Sequence, residues 1–457
     1  MMVCAFAQAP EASGIERLIA QDAARLLDHD APEVRGEAAL VVAASGDVRH
    51  EARLLELASD PAPAARRRAL LALGLLATPA AVQHLERQLG TVDGRRGDDG
   101  VAAAYALGSV VPAQAQTSVA RTLALFRRGS WKRQHDVLLA LLQAMARHPD
   151  RQELGALRLL SEEDANRADD VRGALLRLRL PIDRSLSRGE LERALRRSGK
   201  GVRRAVVGWL ARRPIDEQEP WLDELTALAA RDRDPEVRAL ALLGLTRSRH
   251  LPGLEIAARA LQSGHPGERR QAAVATLAIG GASMRGVLER HLLDERDLER
   301  LGALLEGYRA PPSRALLDRA VAVATDAATP TATRVAAAEL VARSEPLRAA
   351  PMLRDLFLAT SDTALLGRVA RALRRVEEQP TELSKLVAEP LVLRHHGDRW
   401  RALLAAGHSE AQRQVLSTLQ DRDAPDAALC AALKAWRKAT VLDEQAASPD
   451  GLRQTLQ

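Results

Sequence analysis

Aromatic side chains are almost absent from this sequence. Phe, Trp and Tyr make up 2% of its 457 residues although 46% are hydrophobic, so most of the apolar surface comes from Ala, Leu and Val. A β-sandwich or β-barrel would need more Ile, Thr, Tyr and Phe, whereas Ala and Leu are strong helix formers. The scarcity of aromatic residues therefore argues against an all-β fold and favours packed helices.

Cysteine and long apolar runs are also scarce. The chain has only Cys4 and Cys430, which are too far apart for us to expect a disulfide and too few for a zinc knuckle. No apolar run approaches the roughly 18 residues that a membrane-spanning helix needs. We therefore expect neither a disulfide framework nor a transmembrane segment.

A basic segment is missing from the N-terminus, which otherwise resembles a secretory signal. The first nine residues, MMVCAFAQA, are apolar and end on Ala7-Gln8-Ala9, a small-x-small sequence typical of a cleavage site. The apolar part is short for a complete signal. We predict that residues 1–13 are the remnant of a signal peptide or a disordered N-terminus. Export to the periplasm is favoured, and a cytoplasmic protein is the alternative.

Lysine is rare as well, since five of the 66 basic residues are Lys and the rest are Arg. The 60 acidic residues leave a formal charge of only +6. The distribution of charge is more informative than its total. Residues 1–100 hold 11 basic and 15 acidic residues, whereas residues 121–213 hold 22 basic and 11 acidic residues. An anionic partner would therefore be expected along the second of these ranges.

One motif recurs along the chain. It reads Asp or Pro, two residues, Val-Arg and then a short Ala/Leu run, as in DAPEVRGEAALVVA from Asp30 and DPEVRALALLGL from Asp234. We use the position of the motif's Arg as the mark of each copy and call the helix that contains it the marked helix. This position is occupied in turn by Arg35, Arg66, Gly100, Arg172, Arg203, Arg238, Arg270, Glu299, Arg334, Gly367 and Arg399. They lie about 30 to 35 residues apart except between Gly100 and Arg172, where a copy from Trp131 fills a double interval. A period of this length is typical of helical repeat arrays.

A second amphipathic stretch precedes each marked helix. In WLDELTALAARD, for example, Leu222, Leu225 and Leu228 recur at helical spacing and form one apolar stripe. A two-helix hairpin cannot cover its own stripe, so each pair must pack on its neighbours. We predict an all-α fold, an α-solenoid of about thirteen HEAT-like helix pairs over residues 14–438, with a polar tail at residues 439–457.

The sequence DPEVRALALLG, from Asp234 to Gly244, resembles the HEAT-like repeats of the phycobilisome-lyase group. The resemblance extends over nearly the whole chain and implies the fold. It implies little about function, because proteins with such repeats include lyases, DNA glycosylases, hydroxylases, transport receptors and scaffolds. It also implies that a turn Asp and the repeated Arg, such as Asp30 with Arg35 or Asp234 with Arg238, form a structural ladder between repeats. Phosphate binding by the repeated Arg is the alternative.

Two basic clusters dominate residues 121–213, namely RRGSWKRQH and LRRSGKGVRR. Together they define a hypothetical basic rim that consists of Arg127, Arg128, Trp131, Lys132, Arg133, Arg196, Arg197, Lys200, Arg203 and Arg204. A basic rim suits nucleic-acid phosphates, an anionic lipid surface or an acidic protein. A solvated surface without a ligand is the simpler interpretation, because acidic residues such as Glu162 and Asp169 lie between the basic ones.

No pattern of reactive residues is recognisable in the sequence. Only His50-Glu51 forms a His-Glu pair, and no two histidines have a metal-binding helical spacing. Phosphate-binding loops and nucleophile motifs are missing as well. We predict no catalytic residue, no metal and no cofactor, and a non-enzymatic scaffold that binds a protein partner on the concave face of the marked helices. The alternatives are a nucleic-acid binder that uses residues 121–213 and a lyase-like enzyme.

Overall fold

Helices form the whole regular structure of the described chain. The computed structural model describes residues 14–90, 97–110, 112–126, 134–146, 157, 168–183, 185–376, 404 and 409–436. Within these ranges every regular element is an α-helix or a short 3-10 turn, and neighbouring helices pack on each other. The predicted all-α solenoid is therefore confirmed. The predicted leader at residues 1–13, the tail at residues 439–457 and the motif mark at Arg399 lie outside the described residues.

Twenty-three α-helices are numbered here in chain order over the described residues. They are α1 Gly14–Arg25, α2 Pro32–Ala44, α3 Glu51–Leu57, α4 Pro63–Leu76, α5 Pro79–Gly90, α6 Gly97–Ser109, α7 Pro112–Leu125, α8 His135–Met145, α9 Asp169–Arg179, α10 Arg188–Arg197, α11 Lys200–Leu210, α12 Ile215–Gln218, α13 Leu222–Arg231, α14 Pro235–Arg247, α15 Pro252–Ala260, α16 Pro266–Asp294, α17 Leu298–Gly307, α18 Arg314–Thr325, α19 Thr331–Ser344, α20 Pro346–Ala359, α21 Thr363–Val376, α22 Ser409–Gln420 and α23 Asp426–Trp436. They fall into two compact units, of which unit 1 comprises residues 1–160 and 384–457 and unit 2 comprises residues 161–383.

Proline and aspartate mark the starts of the motif helices. Pro32, Pro63 and Pro235 are the first residues of α2, α4 and α14. A proline costs no hydrogen bond at this position, because the first N–H groups of a helix have no intrahelical acceptor. Asp234 caps α14 by accepting the N–H of Val237 at 3.0 Å. Both residue types therefore fix the boundaries that give the sequence its period.

The second helices of successive pairs pack on one another within each unit. In unit 1 the series is α2, α4, α6 and α8, and in unit 2 a separate series comprises α9, α11, α14, α16, α17, α19 and α21. Their small residues allow close approach. A Cβ atom added to Gly74 of α4 would lie 2.7 Å from the carbonyl oxygen of Ala106 in α6. Gly74 is therefore a packing residue, and no side chain fits in its place.

Helix α16 belongs to two successive helix pairs of unit 2. Gly281 interrupts it with φ +60° and ψ −146°, a conformation that glycine adopts without the steric cost of a Cβ atom. The part before Gly281 packs on α15, and α16 also packs on the following helix α17. The break therefore replaces the loop that separates helix pairs elsewhere in the chain.

The C-terminal helix pair of unit 1 packs on the N-terminal pair of the same unit. Helix α22 contacts α1, and α23 contacts α2. The side-chain amide of Gln420 donates a hydrogen bond to Asp22 at 3.2 Å, and His29 lies 3.7 Å from Asp426. The sequence predicted only contacts between repeats that follow each other, so this contact between helices about 400 positions apart is a new finding.

The packing of α23 on α2 makes a prediction for Cys430. Desolvation raises the pKa of the Cys430 thiol to about 11, and the charge of Glu37 in α2 adds to this effect. Because the thiolate is the reactive form, we expect Cys430 in a Cys4→Ser protein to react with iodoacetamide at neutral pH about 100-fold slower when folded than in urea. Equal rates in the two states would contradict the packing of α23 on α2.

Candidate anion-binding site

The repeated arginine connects successive repeats in unit 1. The Arg35 side chain donates hydrogen bonds to the Asp30 carbonyl at 2.8 Å and to the Asp60 carboxylate of the next repeat at 3.1 and 2.9 Å. Arg66 then donates to the Asp60 carbonyl at 2.8 Å and to the Asp99 carboxylate at 2.7 Å. Asp60 therefore binds two successive arginines, one through its side chain and one through its backbone.

The same ladder is present in unit 2. Arg203 donates to the Asp232 carboxylate at 2.8 and 2.9 Å, and Arg238 donates to the Asp232 carbonyl at 2.7 Å. Arg238 also binds both carboxylate oxygens of Glu268, at 2.7 and 2.6 Å. The structural role that the resemblance implied for the repeated arginine is confirmed at these positions.

The acidic partner in the ladder differs from the one expected. Asp30 and Asp234 were expected to pair with Arg35 and Arg238, but the side chain of each arginine reaches the carboxylate of the following repeat instead. The Asp234 carboxylate accepts hydrogen bonds from Arg204 at 2.9 and 2.8 Å. These bonds and the helix cap hold the pKa of Asp234 below its ordinary value, although burial alone would raise it.

The motif mark at Arg270 was also wrong by one residue. Arg269 is the fourth residue of α16, is 3% exposed and donates to the Ser263 carbonyl at 2.6 Å, as the other ladder arginines do. Arg270 is exposed and lies 3.5 Å from Glu306. One residue turns a side chain by about 100° around a helix axis, so the two neighbouring arginines face different surroundings.

Half of the predicted basic rim lies outside the described residues, namely Arg127, Arg128, Trp131, Lys132 and Arg133. Arg197 is the last residue of α10. Arg196 and Lys200 are exposed. Arg196 shares a cleft of about 310 Å³ with Glu192, Asp223 and Glu224, so carboxylates outnumber basic groups there. Binding of an anion at Arg196 is not favoured by this lining.

The last two members of the predicted rim belong to the ladder. The side chains of Arg203 and Arg204 are 18% and 15% exposed, and they form ion pairs with Asp232 and Asp234 at 2.8 Å. Hydrogen bonding to Asp232 raises the pKa of Arg203, and desolvation opposes this effect. Both arginines thus already have acidic partners within the protein.

A different set of arginines lines a cleft of about 620 Å³ in unit 2, which we call the arginine cleft. It lies on the second helices α16, α17, α19 and α21 and on the residues just after α17. Its lining consists of Arg270, Glu306, Arg309, Glu339, Ala342, Arg343, Arg368, Arg371, Ala372 and Arg375. Six arginines therefore face two glutamates, which leaves the cleft strongly basic.

Both glutamates of the arginine cleft bind Arg368. Arg368 donates to Glu339 at 3.2 and 2.6 Å and also to Glu306. Burial alone would lower the pKa of Arg368, but the hydrogen bonds and charges of Glu339 and Glu306 raise it above its ordinary value. These three residues form a fixed ion-pair network within the cleft.

The other arginines of the cleft keep their charges available. Arg309, Arg343, Arg371 and Arg375 are exposed. Desolvation lowers the pKa of Arg343, and the charges of Arg309 and Arg375 lower it further. The ordinary pKa of arginine lies so far above neutrality that these groups remain protonated. They can bind an anion through hydrogen bonds, but they cannot serve as general bases.

The sequence contained a signal for this cleft that the motif marks did not use. Glu306 and Glu339 are 33 positions apart, and Arg309, Arg343 and Arg375 follow each other at intervals of 34 and 32. These intervals match the repeat period, so the glutamates recur at one register position and the arginines at another, near the ends of successive second helices. A search for charges that repeat with the period would have found them.

The described residues contain neither a metal-binding cluster nor a membrane-spanning helix. No group of three or more His, Cys, Asp or Glu residues within the described ranges has a geometry that would hold a metal ion. Among the described helices, none combines the length and the apolar character that a membrane span requires.

A comparison with protein families finds a match within unit 1. Residues 22–108 match the family model for HEAT repeats. This range contains α2 to α5 and α6 up to its last residue but one, with Arg35, Arg66 and the Asp60 carboxylate between them. The match is to HEAT repeats in general and does not confirm the phycobilisome-lyase type. No curated protein sequence matches the chain.

Proposed function

We propose that this chain, which is a HEAT-repeat protein, is a non-enzymatic scaffold that holds a protein partner on the second helices of unit 2. The arginine cleft is the observation that carries the proposal. Four successive second helices contribute to it, and five of its six arginines are exposed at one site. Repeat arrays typically bind partners across surfaces that several repeats build together.

The chemistry of the cleft supports binding rather than catalysis. Its polar groups are six guanidinium groups and two carboxylates, and both carboxylates are bound to Arg368. A protonated guanidinium orients and neutralises an anion but takes no proton at neutral pH. A surface of this kind is suited to hold a charged segment of another protein.

The alternative function, nucleic-acid binding, would use a different set of residues. It relies on the basic stretch 121–213, in which Arg203 and Arg204 are already paired with carboxylates. It predicts DNA binding that weakens steeply as the salt concentration rises, because phosphate contacts release counterions. Binding without salt dependence, or no binding, would rule it out.

Site-specific photo-crosslinking tests the scaffold proposal. A photoreactive amino acid at Ala342, which lines the arginine cleft, should crosslink a protein partner in an extract of the source cells, and mass spectrometry should identify the crosslinked segment. The same amino acid at Ala258, an exposed residue of the first helix α15, is the matched control and should give little of that product.

Two outcomes would contradict the scaffold proposal. Equal crosslinking from Ala258 and Ala342 would mean that the product does not reflect a partner bound at the cleft. Turnover of a small substrate by the purified protein, abolished by substitution of cleft residues, would replace the scaffold with an enzyme. Specific crosslinking from Ala342 supports the proposal.

A further inference from the structure

We propose that the arginine cleft recognises a carboxylate-rich segment of the protein partner, and that Arg343, Arg371 and Arg375 bind it. The inference rests on the proposed function, because it specifies the chemistry of the partner that the scaffold holds. It identifies binding residues outside the basic stretch 121–213.

Three arginines of the cleft differ from those of the ladder in their lack of partners. Arg343, Arg371 and Arg375 are exposed, and in the part of the chain that the structure describes their side chains make no hydrogen bond or ion pair. The ladder residues Arg203 and Arg238, by contrast, each bind a carboxylate of the next repeat. Guanidinium groups that share a cleft repel one another, and an anionic partner relieves this repulsion.

The cleft itself contains an example of the contact that we infer. Arg368 binds the Glu339 carboxylate through Nε at 3.2 Å and through Nη2 at 2.6 Å. This two-point arrangement matches the planar guanidinium to the planar carboxylate and gives directional binding. Arg371 and Arg375 lie on the same helix as Arg368, three and seven positions later, and extend this basic surface.

The lining of the cleft favours a peptide over a nucleic acid. None of its ten lining residues is aromatic, whereas proteins that bind single strands usually stack bases on aromatic side chains. Ala342 and Ala372 provide small apolar surface between the charges, where peptide backbone and methylene groups can pack. Glu306 and Glu339 also add negative charge, which disfavours a continuous row of phosphates.

Fluorescence anisotropy with a defined probe tests the inference. The probe is a fluorescein-labelled peptide of alternating Glu and Ala, and the control peptide has Gln in place of every Glu. The full chain should bind the Glu peptide and not the Gln peptide. Binding should weaken as salt is added, because the charges involved are exposed to solvent.

Two sets of variants locate the binding. The cleft variant Arg343→Gln/Arg371→Gln/Arg375→Gln should bind the Glu peptide at least about 100-fold more weakly, since each exposed contact between a guanidinium and a carboxylate contributes several-fold to affinity. The control variant Arg231→Gln/Arg233→Gln/Arg290→Gln removes three exposed arginines of unit 2 outside the cleft lining. The control variant has the same net charge as the cleft variant, and it should bind the Glu peptide within about threefold of the unchanged chain.

A charge-preserving variant separates geometry from charge. Replacement of the same three arginines by Lys keeps the net charge but removes the two-point contact. We expect binding about tenfold weaker than that of the unchanged chain. The thermal unfolding midpoint of each variant should match that of the unchanged chain, because these side chains are exposed and make no bonds within the described protein.

The outcomes distinguish the inference from the proposed function. Tighter binding of a DNA oligonucleotide of equal charge, lost in the cleft variant, would overturn the inference in favour of nucleic acid. Equal loss in the cleft and control variants, or no binding of the Glu peptide, would overturn it as well. Crosslinking from Ala342 without Glu-peptide binding would leave the scaffold proposal standing and reject only the carboxylate-rich segment.

Discussion

Replacement of Asp232 by alanine should lower the free energy of unfolding of unit 2 by about 3 kcal/mol. The Asp232 side chain is 5% exposed and accepts two hydrogen bonds from Arg203 and one from the backbone N–H of Asp234. Its loss leaves the largely buried Arg203 guanidinium without a carboxylate and the turn without its side-chain acceptor. A buried charge that loses its partner costs more than the intact pair contributes.

Urea unfolding followed by circular dichroism measures this effect. The matched control is Asp294→Ala, which removes an exposed aspartate at the last position of α16. A negative charge is unfavourable at the C-terminal end of a helix, so this change should alter stability by less than about 0.5 kcal/mol. Equal effects of the two substitutions would mean that the ladder adds nothing beyond ordinary surface charge.

Replacement of Gly173 by alanine should destabilise unit 2 by about 2 kcal/mol, although alanine is the better helix former. Gly173 lies in α9, and a Cβ atom at this position would be 2.5 Å from the carbonyl oxygen of Gly201 in α11. That contact is shorter than van der Waals packing allows, and it meets backbone rather than a movable side chain. The two helices must therefore separate to admit one methyl group.

The same substitution at Gly286 should have the opposite effect on stability. It lies within α16, and a Cβ atom there would have no neighbour within 4 Å. Gly286→Ala should therefore raise the free energy of unfolding by about 0.5 to 1 kcal/mol, because alanine reduces the backbone entropy lost on folding. Stabilisation by both substitutions would show that α9 and α11 are not in close contact.

The helix pairs and the structural ladder were predictable because they depend on residues that repeat. Proline and aspartate mark helix starts by local chemistry, and the period fixes which helices are neighbours. The exact partners in the ladder were not predictable. Whether Arg35 binds Asp30 or Asp60, and whether Arg269 or Arg270 enters the ladder, depends on how far a side chain reaches between repeats and on a rotation of one helical position.

Two other features could not be predicted from the motif marks, and the reason is the same for both. The arginine cleft collects charges from α16, α17, α19 and α21, of which only Arg270 stood at a marked position. The contact of α22 and α23 with α1 and α2 joins helices far apart in the sequence. The local sequence pattern determines each helix and the helices next to it. Both of these features depend instead on how several successive repeats are arranged in space.

A competition experiment tests most directly that this protein holds an acidic partner in the arginine cleft. The photo-crosslinking reaction from Ala342 is repeated with increasing amounts of the Glu peptide and, in parallel, of the Gln peptide. The crosslinked partner should disappear as the Glu peptide passes through its dissociation constant and should be unaffected by the Gln peptide. Undiminished crosslinking at saturating Glu peptide would mean that the partner does not use the arginines of the cleft and would contradict the account.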